Sequence, residues 1–231
     1  MKRNAKHECA EALRRRILSM ELAPGSPLDE IQLAVEYGIS RTPLREVLQR
    51  LAGEGYVVVQ DNRGAKVASL DLATLRHFFL AAPMIYAAVA RLAAQQASQT
   101  DLKVLRDIQS DFRTSVDSRD VSAAAHHNHR FHAQIGSIAA SPFLTPSLNR
   151  LLIDHTRIGH TFYEAHSGED RKRVAEAVKQ HDAMIEAFAD RDAEAAVALT
   201  MQHWELSRGQ MGRFVNPDAL PIDLGDIADA V

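Results

Sequence analysis

The sequence predicts a mainly α protein in two parts: three short helices with a small β ribbon over residues 1–70, then an all-helical bundle over residues 71–215. Apolar residues recur at helical spacing in nearly every segment. The strand-like stretches, "YVVVQ" at 56–60 and "AKVAS" at 65–69, sit close together. Beyond Asp71 proline and glycine are sparse, alanine is plentiful, and no alternating pattern appears. Residues 216–231, "NPDALPIDLGDIADAV", begin with a breaker and read as an acidic, flexible tail.

The first helix is expected over 5–20, with Ala12, Leu13, Ile17 and Met20 as its buried stripe. "LAPGSPLD" breaks it, Pro24-Gly25 making the turn. "DEIQLAVEYGIS" gives a short second helix, capped near Asp29, with Ile31, Ala34 and Val35 facing inward and Gly38 ending it. Ser40 or Thr42 caps the third helix, and Pro43 falls in its first turn, where a missing N–H costs nothing. Leu44, Val47, Leu48 and Leu51 bury one face of that helix. Two strands joined by the tight turn "DNRG" follow, and Gly64 is free to take positive φ there. Three helices and a two-stranded ribbon are the parts of a winged helix-turn-helix. On this phasing Arg41 and Arg45 share an exposed face at the N-terminal end of the third helix, where a helix lowered into a major groove meets bases and phosphates. The wing offers Arg63 and Lys66 to the backbone or minor groove.

In the second part the spacing predicts helices near 71–97, 101–117, 119–140, 143–165, 170–190 and 192–213. Such a bundle is long enough to enclose a ligand cavity. Ten of the eleven histidines lie here. Asn128 and His132 are four apart and share a helix face, while His181 and His203 each sit in an apolar stripe of a later helix. Brought together, these residues suit a borderline divalent cation such as zinc or nickel. Spacing does not show that they converge, and His126, His127 and His129 show that the same helix carries histidine on several faces.

Composition narrows the function classes. The chain is 46% hydrophobic and 25% charged, as an ordinary globular protein is, and its single cysteine, Cys9, excludes an internal disulfide. The first twenty residues contain no apolar run fit for a signal peptide, and no unbroken apolar stretch approaches the ~20 residues of a membrane span. The expected location is the cytoplasm. Residues 1–70 carry 11 Lys+Arg against 9 Asp+Glu and the remainder 16 against 21, so a slightly basic head sits on an acidic body.

The run Pro24-Gly25, Leu28, Leu33-Ala34, Gly38-Ile39-Ser40-Arg41-Thr42-Pro43-Leu44-Arg45-Glu46, Leu48, Leu51, Glu54-Gly55 and Arg63-Gly64 resembles the DNA-binding domain of the GntR family of bacterial transcriptional regulators. The resemblance implies operator contacts through Arg41, Thr42 and Arg45, with Gly64 in the wing; near Ile31 it departs from members that carry a phosphate-binding arginine. "FH" at 131–132, "KQHDAMIEAFADRDAEAAVALTMQHW" at 179–204 and "ARLAAQQAS" at 90–98 are similar to the helical FCD effector domain of the FadR subfamily. In metal-binding members an Asp joins three histidines, and the matching positions here are Asn128, His132, His181 and His203. Asn keeps a carbonyl oxygen but loses the charge, which lowers affinity for a dication. Arg and Glu on the first helix of that domain are matched by Ala82 and Tyr86, and Asn after the third by Ser141. An effector carboxylate therefore needs another partner: Arg130, Arg150 and Arg157 are the candidates, with Tyr86 beside the pocket. The expected protein is a homodimeric regulator, a repressor of a palindromic operator, sensing a small organic acid at its metal. A metal-free pocket for a larger organic effector is the first alternative and a metalloenzyme the second, with Asp182 and Glu186 near His181.

Overall fold

A computed structural model describes residues 2–60 and 64–215 of the chain. The head comprises α1 (Lys2–Leu18), β1 (Pro27–Leu28), α2 (Glu30–Glu36), α3 (Arg41–Glu54), β2 (Val57–Gln60) and β3 (Gly64–Val67). The body comprises α4 (Leu72–Gln96), α5 (Gln99–Asp117), α6 (Val121–Ala139), α7 (Leu144–Tyr163), α8 (Gly168–Ala189) and α9 (Ala193–Val215). Arg63 and the tail from Asn216 lie outside the described residues.

The helices start where short polar side chains can accept the orphan N–H groups of a first turn. Asp29 accepts from Ile31 and Gln32, Asp71 from Thr74, and Asp120 from Ala123. Ser98 with Asp101, and Ser167 with Asp170, form reciprocal capping boxes on α5 and α8. Ser40 holds the N-cap position of α3 but makes no side-chain cap bond, and Thr42 lies inside that helix. Gly55 ends α3 at φ 94°, in the left-handed region.

Three expectations for the head need correction. The sheet has three strands in the order β1-β3-β2, because Pro27 and Leu28 pair antiparallel with Lys66 and Ala65. Ile31 and Val35 point to solvent, being 60% and 79% exposed; Leu33 fills the inward position of α2 instead. Met20 lies past the end of α1 at φ 63°, and the helix closes at Leu18. The remaining apolar stripe holds: Leu13, Ile17, Leu44, Val47, Leu48 and Leu51 form one core with Val57 and Val67. Ile153, from α7 of the body, completes that core.

In the body, α4 packs on α9, α6 and α7, α5 on α6 and α8, and α8 on α9. α4 is long and apolar enough to cross a membrane by length and composition, a property that a search for an unbroken apolar run misses. Its Phe78, Ala82, Tyr86, Val89, Ala90, Ala93 and Ala94 are buried against the bundle.

Candidate DNA-binding face and metal centre

On the head, α2, α3 and the two long strands frame an open groove of about 700 Å³ that includes Glu30, Ile31, Arg41, Arg45, Gln49, Gln60 and Gly64. Arg41, Thr42 and Arg45 are exposed at its edge, and Lys66 is half-buried on β3. Gly64 takes φ 75°. Arg45 is not bare: its Nε donates to Glu30 Oε2 at 3.3 Å. Arginines at the start of an exposed helix, with a wing beside them, can meet phosphates and base edges together.

Inside the bundle, α6 supplies Asn128 and His132, α8 supplies His181 and α9 supplies His203, all buried. The three histidines each offer a ring nitrogen within 4.8 Å of the others. His181 Nδ1 faces Gln109 Oε1 at 3.1 Å, and Gln109 is oriented because its Nε2 donates to Val178 O and Asp182 Oδ1. His203 Nδ1 faces Gln180 Oε1 at 3.2 Å. Both Nδ1 atoms therefore carry the proton in the neutral rings, which turns two Nε2 lone pairs toward each other at 3.2 Å. Burial, aided by neighbouring imidazoles, holds His132 and His181 well below the usual histidine pKa and lowers His203 to about 4 through burial alone, so the rings stay neutral and ligand-competent.

Two further atoms lack partners. His132 Nε2 and Asn128 Oδ1 are buried with no hydrogen bond. Lone pairs that face one another, together with orphaned acceptors, are costly in an apolar core and fit a shared cation. These donors suit a divalent metal of the zinc or nickel kind, and the set Asn128, His132, His181 and His203 would hold it.

The structure also adds residues that the spacing argument missed. His155 on α7 lies against His132, with ring centroids 5.3 Å apart, and its Nδ1 is 2.6 Å from the Tyr86 hydroxyl. Burial lowers its pKa to about 3, so the ring that pairs with the Tyr86 hydroxyl is neutral. Trp204 lies tilted against Phe78, Phe79 and Tyr86, with its buried Nε1–H unpaired. The signal for His155 and Gln109 was present: each interrupts an apolar stripe, Leu148-Leu152-His155-Phe162 and Leu102-Leu105-Gln109-Phe112.

Of the four effector candidates, Tyr86 alone adjoins this centre; none of the three arginines bonds to it among the described contacts. Arg157 is fully buried and donates to Ala68 O at 2.7 Å, to Ser69 O at 3.4 Å and to Asp154. Arg150 pairs with Asp154 at 2.9 Å and lies so close to Gly55 that a Cβ there would collide with it. Arg130 is half-exposed and faces Asp111 and His127. Asp182, weighed as a base, is held outward by Gln109 and Arg113.

Residues 5–67 match the model of the bacterial regulatory proteins of the gntR family, and residues 83–206 match the FCD domain. The chain is 25% identical over 191 residues to the HTH-type transcriptional repressor RspR of Escherichia coli K12, covering 83% of this chain and 82% of that one. It is 30% identical over 161 residues to the Glc operon transcriptional activator of the same organism, covering 62% and 63%. Among solved structures, Escherichia coli McbR/YncC shares the fold with a TM-score of 0.73 at 20% identity, over 89% of this chain and 98% of that one. The relatives are regulators of transcription, not enzymes, which removes the metalloenzyme alternative. With a head that matches the gntR model and a body that matches the FCD domain over more than half the chain, the protein belongs to the GntR family of transcriptional regulators, in its FCD-containing group.

Proposed function

We propose that the chain is a repressor that binds a palindromic operator as a homodimer in the cytoplasm and responds to a small organic acid at a divalent-metal centre. The observation that carries the sensing part is the pair of Nε2 atoms set 3.2 Å apart on glutamine-held rings, with Asn128 Oδ1 and His132 Nε2 unpaired beside them. A bound dication supplies positive charge for an effector carboxylate. The unpaired Trp204 Nε1–H is the donor we assign to a remaining oxygen, with Tyr86, whose hydroxyl pairs with His155, lining the pocket. The three arginines are engaged elsewhere. Likeness to the repressor RspR over 83% of the chain, against 62% for the Glc operon activator, supports repression. Two heads on a two-fold site roughly double the contacts of one and match a palindrome.

The aromatic wall of Phe78, Phe79 and Trp204 favours a second reading, a metal-free pocket for an organic effector. Elemental analysis of untagged protein purified without chelator separates the two. About one zinc or nickel per chain, lost in the double variant His132→Ala, His181→Ala, is the expected result. No metal, with none taken up on titration, rejects the metal reading. For the head, Arg45→Ala is expected to abolish specific DNA binding while the protein stays folded; retained specific affinity at moderate salt would reject the docking through α3.

A further inference from the structure

α7 touches both halves of the molecule within a single turn. Its inward face presents His155 to Tyr86 and His132. Its opposite face presents Ile153 to the head core and Arg157, which is paired with Asp154, to the linker. Residues two apart on a helix point in nearly opposite directions, so His155 and Arg157 face away from each other on one rigid segment. Thr156, between them, receives His129 Nδ1 at 2.7 Å and is itself bonded to Leu152 O.

The linker closes the circuit. Arg157 holds Ala68 and Ser69, which follow directly on β3. Asp71 then caps α4, and α4 carries Tyr86 back to His155. β3, linker, α4, Tyr86, His155, α7 and Arg157 thus form one ring of contacts that passes beside the histidine centre and through the base of the wing. Interiors this close-packed have little room to absorb a shift locally. A change at His132 reaches Tyr86 and His155, since both rings lie against it at 5.4 and 5.3 Å.

On the reading that the histidine centre binds a dication, we infer that α7 residues 153–157 carry the state of that centre to the winged head. His155 is the receiving residue and Arg157 the delivering one. Arg157 is a positioning residue: it touches neither DNA nor metal, and it acts by fixing the linker that leads out of β3. Sites linked in this way share a coupling free energy, so filling one must bias the arrangement of the other. Arg150 adds a second grip on the head, because it shares Asp154 with Arg157 and lies against Gly55 at the end of α3.

Hydrogen–deuterium exchange on the full chain tests this with zinc alone as the probe. In the wild type, saturating zinc is expected to slow exchange in peptides covering 128–132 and 177–204, and also, by about fivefold or more, in peptides covering 44–57 and 65–70. Arg157→Lys keeps the charge beside Asp154 but loses the forked donors to Ala68 and Ser69. It is expected to retain zinc protection in the bundle and to lose it in the head. Arg157→Gln provides the same reading if the lysine variant does not fold. Protection confined to the bundle in the wild type would overturn the inference, whichever variants fold. Undiminished head protection in Arg157→Lys would overturn it too. No protection in the bundle at all rejects the metal reading, and the inference falls with it.

Discussion

Two buried polar clusters meet at α7, one on it and one against its His155, and are built in opposite ways. Around Asp154 and Arg157 the charges answer each other: the carboxylate takes Arg150 and Arg157, and the guanidinium finds two backbone carbonyls besides. Around His132, His181 and His203 the outer nitrogens of the latter two are held by glutamines, while inner atoms remain unmatched. The first cluster has both its charges matched and leaves only Arg157 Nε unpaired. The second is complete on its outside and open at its centre, the arrangement expected of a site that waits for a ligand. Burial alone would have classed them together.

Breaking one partner of the completed cluster should have the largest effect. Asp154→Ala leaves Arg157 charged and enclosed, and is expected to lower stability by about 3–5 kcal/mol in denaturant unfolding. A change under 1 kcal/mol would mean that the pair is already hydrated. In the open cluster the outcome should depend on the metal. Asn128→Leu removes an orphaned acceptor, so the chelated protein is expected to stay within about 1 kcal/mol of the wild type or to gain stability. The same variant should bind zinc more weakly. Asn128→Asp sharpens the point by restoring charge: zinc affinity should rise about tenfold, or ~1.4 kcal/mol, in a competition titration. An unchanged affinity in both variants would remove Asn128 from the ligand set.

The smallest effect is expected where a polar group has no structural bond and stands in water. Ser40 caps α3 in position only, so Ser40→Ala should cost under ~0.5 kcal/mol, against roughly 1 kcal/mol for Ser98→Ala, whose hydroxyl closes a capping box. Equal losses in the two would show that position alone matters.

Most of the fold was legible because its signals are local. Caps, breakers and the 3.6-residue stripe place the helices of the body within a few residues of where they lie. β1 was not legible: a two-residue strand that begins with proline has no period to detect, and it exists because β3 offers it a partner. Ile31 and Val35 misled because an apolar residue on a seven-residue helix carries little phase information. At the histidine centre, the three ring positions could be read from their places in apolar stripes. Their convergence could not, nor could the glutamines that set the ring tautomers, since both depend on neighbours some seventy residues away in α5 or on the next helix. The three arginines failed to sort for a related reason. Sequence gives their charge, while Arg157 owes its place to linker carbonyls that no side-chain pattern records.

The contact between Glu30 and Arg45 has a consequence for how ionic strength should act on the head. Each phosphate neutralised by a protein cation releases condensed counterions, at about 0.9 per contact on a duplex. On the docking proposed above, Arg45 enters with its charge already partly answered by a carboxylate that is mostly shielded from water. Its pull on an arbitrary stretch of backbone is correspondingly weak. Base edges that accept from the guanidinium can replace that carboxylate, whereas a bare phosphate must also tolerate the acid beside it. On the proposed docking, the pair discounts indiscriminate adhesion to DNA more than it discounts the correct site, and its own share of that contrast is largest at low salt, where the carboxylate's repulsion of phosphate is least screened.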